Sequence, residues 1–202
     1  GGEWATKSAN QGNMRGQFLL GAVLFNGIGV EQDQEAAASW FEKAGQQGHA
    51  EAQRLIGKMY LNHLGVTRDY DKARFWLEKA AAQNDVEALD ALAVMYGKGM
   101  GGTSDYAGAV KLLERASALG YAYSQANLAE LLARGRNGIP HDFGKAYMWS
   151  SIAIKSGELD DRRLSAVRWN REMSSKELSE EQISTFDKAI DACWKKPSTC
   201  PN

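Results

Sequence analysis

LLGAVLFNGIGVEQDQEAAASWFEKAGQQG, residues 19–48, aligns without a gap to residues 55–84, 36 positions later in the chain. The same interval relates small residues at four positions, Gly21, Gly57, Ala93 and Ala129. A second series at this interval contains Trp4, Trp40, Trp76 and Leu112, and Trp149 follows after 37 positions. Because many positions obey one period, the sequence predicts a chain of tandem structural repeats.

Each repeat is predicted to contain two helices, as residues 50–84 illustrate. Apolar residues recur at helical spacing between Ala52 and Tyr60. Gly65 then breaks the helix, and Asp69 is well placed to cap the N-terminus of the second helix. In three other repeats, a glycine follows the second helix, and glycine tolerates the left-handed backbone geometry of such a turn. These residues are Gly48, Gly120 and Gly157.

The small residues at positions 21, 57, 93 and 129 fall in the middle of predicted helices, where glycine lowers stability. We expect them there because a missing side chain lets the neighbouring helix approach closely. The tryptophan and the leucine of the second helix would then fill the groove between the helices. One helix pair cannot bury its apolar stripe alone, so neighbouring pairs must stack.

These segments resemble Sel1-like repeats, relatives of the tetratricopeptide repeat, whose pattern is approximately LGxxYxxGxGVxxDxxKAxxWxxKAAxxG. The resemblance covers about residues 4–157. It implies an all-α fold, namely a right-handed α-solenoid of stacked helix–turn–helix repeats. We divide residues 1–157 into a partial repeat and four repeats, 1–13, 14–49, 50–85, 86–121 and 122–157. Leu112 in place of tryptophan and the insertion in RGRNGIPHD, residues 134–142, depart from the pattern and leave the loop shapes open.

Residues 158–202 leave the repeat and are predicted to form capping helices and a tail. A first helix over the last repeat is indicated by Leu164, Val167 and Trp169. The segment Ser179-Glu180-Glu181-Gln182 is a capping box. The helix that it opens has three apolar residues at helical spacing, Ile183, Phe186 and Ile190. A similar extension follows the last repeat of bacterial Sel1-like proteins, so we expect a helical cap over the apolar end of the solenoid.

The composition argues against several classes of function. The chain has 202 residues and a net charge of −1, so no basic surface for nucleic acid is indicated. The longest strongly apolar run, Phe18–Phe25, is too short to span a bilayer. His49, His63 and His141 lie in different repeats and form no metalloenzyme motif. We therefore predict no catalytic residue, no metal site and no cofactor.

Cys193 and Cys200 are the only cysteines, and both lie near the end of the chain. One interpretation is a disulfide that clips the tail onto the preceding helix of an exported protein. The alternatives are two unpaired thiols in a cytosolic protein and a metal site, which would lack further ligands.

One surface of the first helices is the candidate site for a partner, because stacked repeats bind partners on the concave side that these helices line. The candidates vary between repeats, so packing does not dictate them: Phe18, Asn26, Arg54, Lys58, Asn62, Asp90, Lys98, Glu130 and Arg134. This stripe is centred on a basic step at Arg54 and Lys58, which would suit a segment with acidic groups. An ordinary solvated face is the alternative. If this stripe binds the partner, replacing Arg54 and Lys58 by glutamate would be expected to weaken binding without unfolding the protein.

The resemblance implies a protein that binds another protein. The leading hypothesis is a non-enzymatic adaptor or scaffold in the bacterial cell envelope. A second is an inhibitor, such as an immunity protein that neutralises a secreted toxin by tight one-to-one binding, and a third is a cell-wall enzyme. The chain begins Gly-Gly-Glu-Trp without an initiator methionine. We expect a periplasmic or secreted protein whose export signal has been removed, as the disulfide interpretation implies, with the cytoplasm as the alternative.

Overall fold

The computed structural model describes residues 2–135 and 138–195. Throughout these residues the regular secondary structure is α-helical. The helices are α1 Gly2–Asn10, α2 Met14–Asn26, α3 Gln34–Gln46, α4 Ala50–Asn62, α5 Tyr70–Ala82, α6 Val86–Lys98, α7 Tyr106–Ala118, α8 Ala122–Arg134, α9 Phe143–Ser156, α10 Asp161–Lys176 and α11 Glu180–Lys195. The prediction of an all-α protein is confirmed.

The chain divides into two compact units, residues 1–92 and residues 93–202. In the first unit α1 packs on α2, α2 on α3, α3 on α4 and α4 on α5. In the second unit α7 packs on α8 and α8 on α9, and α9 contacts both α10 and α11. Packing of each helix on its neighbour in sequence is the arrangement that stacked helical repeats require.

An aspartate begins the second helix of each repeat. Asp69 Oδ1 accepts a hydrogen bond of 2.9 Å from Lys72 N, which confirms the predicted N-cap. Equivalent bonds are accepted by Asp33, Asp105 and Asp142. An N-cap of this kind contributes about 1 kcal/mol, so the spacing of the four aspartates fixes where each of these helices starts.

The turns between repeats adopt the predicted left-handed conformation. Gly48, Gly120 and Gly157 have φ angles of 98°, 91° and 71°. Asn84 occupies the equivalent position with a φ of 64°, and asparagine is among the few residues with a side chain that tolerate this region. A β-branched residue at any of these four positions would be strained.

Gly57 of α4 shows why the mid-helix position must be small. A Cβ atom on Gly57 would lie 2.8 Å from Leu77 Cγ and 3.2 Å from the carbonyl oxygen of Ala73. The predicted close approach is therefore confirmed, but only one of the two residues that were expected to fill the groove lies beside Gly57. Leu77 fills the space, and the preceding residue, Trp76, lies against Gly45 of the previous repeat, 3.1 Å from the Cβ position of that glycine.

A glutamine network links successive repeats in the first unit. Gln83 Nε2 donates to the Gly48 carbonyl oxygen at 3.1 Å and to Gln53 Oε1 at 2.9 Å. Gln47 makes the equivalent bonds one repeat earlier, at 3.0 and 2.7 Å. Gln53 is buried, and a buried amide needs hydrogen-bond partners. The recurrence of glutamine at this interval therefore reflects a buried polar contact between repeats.

Helices α10 and α11 cover the last repeat by packing on α9. Gln182 N donates to Ser179 Oγ at 3.2 Å, and Ser179 N donates to Gln182 Oε1 at 2.8 Å. These two bonds form the predicted capping box. From α11, Ile190 is buried, and Phe186 lies so closely over Gly144 of α9 that any side chain there would clash with its ring.

Trp169 of α10 does not cover the last repeat, contrary to the prediction. Val167 in the same helix is buried, but the Trp169 side chain is 55% exposed. Side chains two positions apart on an α-helix point about 200° away from each other, so Val167 and Trp169 cannot face the same neighbour. The helix itself was predicted correctly, and the face that Trp169 occupies was not.

Cys193, in the last turns of α11, is buried and disulfide-bonded. Cys200, its predicted partner, lies outside the described residues, so the Cys193–Cys200 pairing stays a prediction. Arg136 and Asn137, in the insertion of the fourth repeat, also lie outside the described residues.

Candidate partner-binding surface

Arg54 of α4 is held by carboxylates within the first unit. Its Nε donates to Asp85 Oδ2 at 3.1 Å and its Nη1 donates to Glu87 Oε2 at 2.9 Å. Glu51 Oε1 lies 3.5 Å from Nη2. Only 13% of the Arg54 side chain is exposed. Arg54 therefore ties α4 to the beginning of the next repeat.

Lys58 is paired in the same cluster, with its Nζ 2.5 Å from Glu87 Oε2. Burial alone would raise the pKa of Glu87, but the hydrogen bond from Lys58 and the charges of Lys58 and Arg54 outweigh burial and lower that pKa. The predicted basic step is thus neutralised by the chain's own carboxylates. Reversing Arg54 and Lys58 would place like charges beside Asp85 and Glu87. We therefore expect that variant to destabilise the first unit, contrary to the expectation from the sequence.

We expect this cluster to make the first unit less stable in acid. Because the folded-state pKa of Glu87 is depressed, its contribution is complete above the ordinary glutamate pKa of about 4.3. That contribution is lost as the pH falls through the lower folded-state value. Lys58→Met removes the hydrogen bond that depresses the pKa of Glu87. The unfolding free energy of this variant should therefore fall less steeply than that of the wild-type protein between the ordinary and the folded-state pKa of Glu87. Urea unfolding at a series of pH values measures both proteins, and parallel curves would contradict the assignment.

Phe18 and His49 form a stacked pair in the first unit, with ring centroids 4.2 Å apart. His49 Nδ1 accepts a hydrogen bond of 3.3 Å from Ala52 N, which requires an unprotonated nitrogen. Burial lowers the pKa of His49, and the negative charge of Glu51, which acts to raise that pKa, offsets burial only in part. Phe18 is therefore half-buried by contact between repeats, and its predicted role in partner binding stays a prediction.

The other first-unit candidates have local partners or are only partly exposed. Asn26 Nδ2 donates to the Ala22 carbonyl oxygen at 2.9 Å. Asn62 Nδ2 makes the equivalent bond to Lys58 at 3.0 Å. Both asparagines thus close the last turn of their helices. Asp90 is half-buried on α6.

The second unit contains a groove of about 780 Å³, lined by α6, α7, α8 and the beginning of α10. This second-unit groove includes three residues of the predicted stripe, namely Lys98, Glu130 and Arg134. The structure therefore brings together the part of the stripe that lies in this unit. Lys98 and Arg134 are exposed, and Glu130 is half-buried.

The second-unit groove is lined by apolar as well as charged residues. The apolar part of the lining includes Ala93, Val94, Gly97, Ala109 and Leu131. The Tyr106 ring forms part of the wall, 3.8 Å from the Cβ position of Gly97. Because Gly97 has no side chain, the groove stays open beside this ring.

Positive charge predominates in the second-unit groove. Its lining includes four cations and two carboxylates, namely Lys98, Arg134, Arg162, Arg163, Glu130 and Asp160. Glu130 pairs with Arg134 at 3.1 Å, and Asp160 Oδ1 accepts a 2.8 Å hydrogen bond from Arg163 N. Across the described part of the chain, neither Lys98 nor Arg162 has a carboxylate within ion-pair distance. Two unneutralised cations therefore face the same groove.

Arg162 and Arg163 are functional candidates that the sequence reasoning missed. They belong to α10, outside the repeat, so the 36-residue register gives no reason to align them with Lys98. Arg163 Nη1 donates to Asn127 Oδ1 at 2.6 Å, which fixes α10 against α8. The only sequence signal is the arginine pair directly after Asp160 and Asp161, at the beginning of a predicted helix.

The histidines serve the backbone in this structure. His49 caps α4, His63 ends the same helix with a φ of 59°, and His141 Nδ1 lies 2.9 Å from the Ala133 carbonyl oxygen. Among the described residues, no group of three or more His, Cys, Asp or Glu side chains could hold a metal ion.

A family model described as Sel1 repeat matches residues 2–13, 15–49, 50–85, 86–121 and 122–158. The chain belongs to the Sel1 repeat family. The resemblance inferred from the sequence and the predicted all-α repeat solenoid are thereby confirmed. Sel1 repeats generally mediate protein–protein interaction. No curated protein matches the chain.

The solved structures that resemble this Sel1 repeat chain include the following three. A Sel1 repeat protein from Oxalobacter formigenes is 29% identical over 87% of this chain and 78% of its own, with a TM-score of 0.71. The protein c5321, a protective antigen present in uropathogenic Escherichia coli strains and displaying an SLR fold, is 30% identical over 97% of this chain, with a TM-score of 0.83. This chain spans 41% of c5321. Immunity protein Pa5087 from Pseudomonas aeruginosa is 18% identical over 97% of this chain and 74% of its own, with a TM-score of 0.51, which shows a likeness of fold alone.

None of the described helices is both long enough and apolar enough to cross a membrane.

Proposed function

We propose that this Sel1 repeat chain is a non-enzymatic adaptor that binds an acidic segment of a partner protein in the second-unit groove. The observation that carries the proposal is the pair of cations, Lys98 and Arg162, that line one groove without carboxylate partners among the described residues. The chain as a whole has a net charge of −1, so this concentration of positive charge is local. Cations of this kind bind carboxylates through charge-assisted hydrogen bonds.

The groove is a better candidate than the basic step of the first unit. Arg54 and Lys58 already donate to Asp85 and Glu87, so a partner would have to displace bonds that hold two repeats together. Lys98 and Arg162 are exposed and would lose only water on binding. The volume of the groove lies in the range of about 300–1,000 Å³ that ligand pockets occupy, so it suits a short segment of a partner.

A charge reversal in the groove tests the proposal. We expect Lys98→Glu with Arg162→Glu to weaken binding of the native partner at least about 10-fold, since a hydrogen bond to a charged group is worth about 1.5–3 kcal/mol. The wild-type chain and the variant would be used to capture proteins from the native organism. The affinity of each captured protein for both chains would then be measured by calorimetry.

The matched control reverses two cations of the second unit that lie outside the groove, with Lys111→Glu and Arg168→Glu. Both side chains are exposed, and neither has an ion pair within the described residues. The total change in charge is the same, so a general electrostatic effect would weaken both variants equally. If the groove variant and the control variant lose the same affinity for the partner, or if the groove variant keeps its full affinity, the proposal is overturned.

An inhibitor is the second candidate function, in which the same groove would block a toxin. The observation that favours it is the likeness of fold to immunity protein Pa5087. Stoichiometry and partner identity separate the two candidates. A single toxin bound one-to-one would favour the inhibitor, whereas several envelope proteins that all lose affinity for the groove variant would favour the adaptor.

We also propose that the protein works in the periplasm or outside the cell. The disulfide at Cys193 supports this location, because disulfides persist in oxidising compartments. Thiol labelling of the protein taken directly from intact cells tests the proposal. A chain that reacts as two free thiols before any reductant is added would favour the cytoplasm.

A further inference from the structure

The second unit carries an exposed apolar stripe on α10, formed by Trp169 and Met173. The face of α10 that packs on the repeats buries Val167, Asn170 and Ser174. On the neighbouring face, Trp169 is 55% exposed and Met173 is 39% exposed. These two large side chains thus lie beside the packed face of α10 and leave much of their apolar surface in solvent.

This stripe continues directly from the second-unit groove. Arg162 and Ala166 of α10 line the groove. Together with Trp169 and Met173 they fall within an arc of about 60° on a helix that turns about 100° per residue. A ligand that contacts Arg162 in the groove can therefore reach Trp169 and Met173 by continuing along one face of α10.

We propose that the Trp169–Met173 stripe forms the second half of the partner site and binds apolar side chains of the same acidic segment. This inference rests on the proposed function of the groove. Large aromatic residues dominate the binding energy of protein interfaces, and the flexible methionine side chain adapts to irregular partners. Helix α10 thus covers the last repeat by packing on α9 and also extends the binding surface.

The geometry of α10 sets the spacing that a partner must have. Trp169 lies about 10 Å from Arg162 along the helix axis and Met173 lies about 16 Å from it, at 1.5 Å per residue. An extended segment advances about 3.3 Å per residue. The apolar residues of the partner should therefore lie about three to five positions from its acidic group.

Selection from a displayed library of random 12-residue peptides, with the chain as bait, tests this arrangement. We expect enriched peptides to combine acidic residues with an apolar or aromatic residue three to five positions away. A fluorescent copy of the most enriched peptide should bind the Trp169→Ala, Met173→Ala variant at least about 10-fold more weakly, the size of loss that interface hot spots show. Trp194→Ala is the matched control, because Trp194 is 45% exposed on α11 and lies outside the groove.

Changing the peptide tests the same contact without altering the fold. Serine in place of its apolar residues should weaken binding to the wild-type chain by the same factor and should have no further effect on the Trp169→Ala, Met173→Ala variant. If the enriched peptides are acidic but lack the spaced apolar residues, the inference is overturned and the groove proposal stands. The same holds if the peptide binds the wild-type chain and this variant with equal affinity. If the enriched peptides contain no acidic residues, both the stripe inference and the groove proposal are overturned. A wild-type dimer that becomes monomeric in the variant on sedimentation would assign the stripe to a second copy of the chain and overturn the inference.

Discussion

Trp76→Ala is expected to lower the free energy of unfolding by about 3–5 kcal/mol, the range for large aromatic truncations in a core. Trp76 is 5% exposed and fills the space beside Gly45 of the preceding repeat. Its removal opens a cavity between two repeats, and the surrounding helices can close that cavity only by shifting as units. Urea unfolding followed by far-ultraviolet circular dichroism measures the loss.

The neighbouring aromatic residue provides the control. Phe75 is adjacent to Trp76 in α5 but is 51% exposed. Its ring contacts Trp76 at a centroid distance of 5.1 Å, so Phe75→Ala should cost no more than the roughly 0.5–1.5 kcal/mol of an aromatic pair. Equal losses for the two variants would mean that position 76 does not form the contact between repeats that the alignment and the structure assign to it.

Arg54→Met is expected to cost about 2–3 kcal/mol, less than a fully buried ion pair because its carboxylate partners keep some contact with water. The substitution keeps much of the side-chain volume but leaves Asp85 and Glu87 without the guanidinium. Asp85 has a second role, since its Oδ1 accepts a 2.9 Å hydrogen bond from Ala88 N at the start of α6. Loss of Arg54 would therefore also loosen the cap of that helix. Equilibrium unfolding in urea gives the size of the effect.

An exposed ion pair separates the effect of burial from the effect of charge. Lys176 pairs with Glu172 at 3.0 Å, and the two side chains are 58% and 68% exposed. Lys176→Met should change stability by no more than about 0.5 kcal/mol, as exposed helical pairs do. If Arg54→Met were as mild as this control, the Arg54 cluster would be a surface feature, and the first unit would not depend on it.

The sequence was sufficient to predict most of the fold, because stacking repeats impose the same packing problem at every step. Gly57 and Asp69 recur in register, since each copy needs the same close approach and the same helix start. The role of the recurring glutamine was missed, although its interval was visible. Only the structure shows that Gln83 reaches both the backbone of the previous repeat and the buried amide of Gln53.

The candidate site was predicted only in part. Lys98 and Arg134 were identified because they lie on the first helices of their repeats, but Arg162 comes from a helix with no repeat register. Pairing of Arg54 with Asp85 and Glu87 spans more than 30 positions, and a pattern within one helix cannot reveal it. The orientation of Trp169 was ambiguous, because α10 carries apolar residues on two faces.

The glutamine network also restricts how the number of repeats can change during evolution. Gln83 reaches back 35 positions to its carbonyl partner and 30 positions to its amide partner, and Gln47 has the same two offsets. Recombination that duplicates or deletes one whole 36-residue unit would preserve both offsets. An insertion or deletion of another length within one of the helices that carry these glutamines would shift donor and acceptor out of register, so copies gained or lost in this unit should come in complete periods.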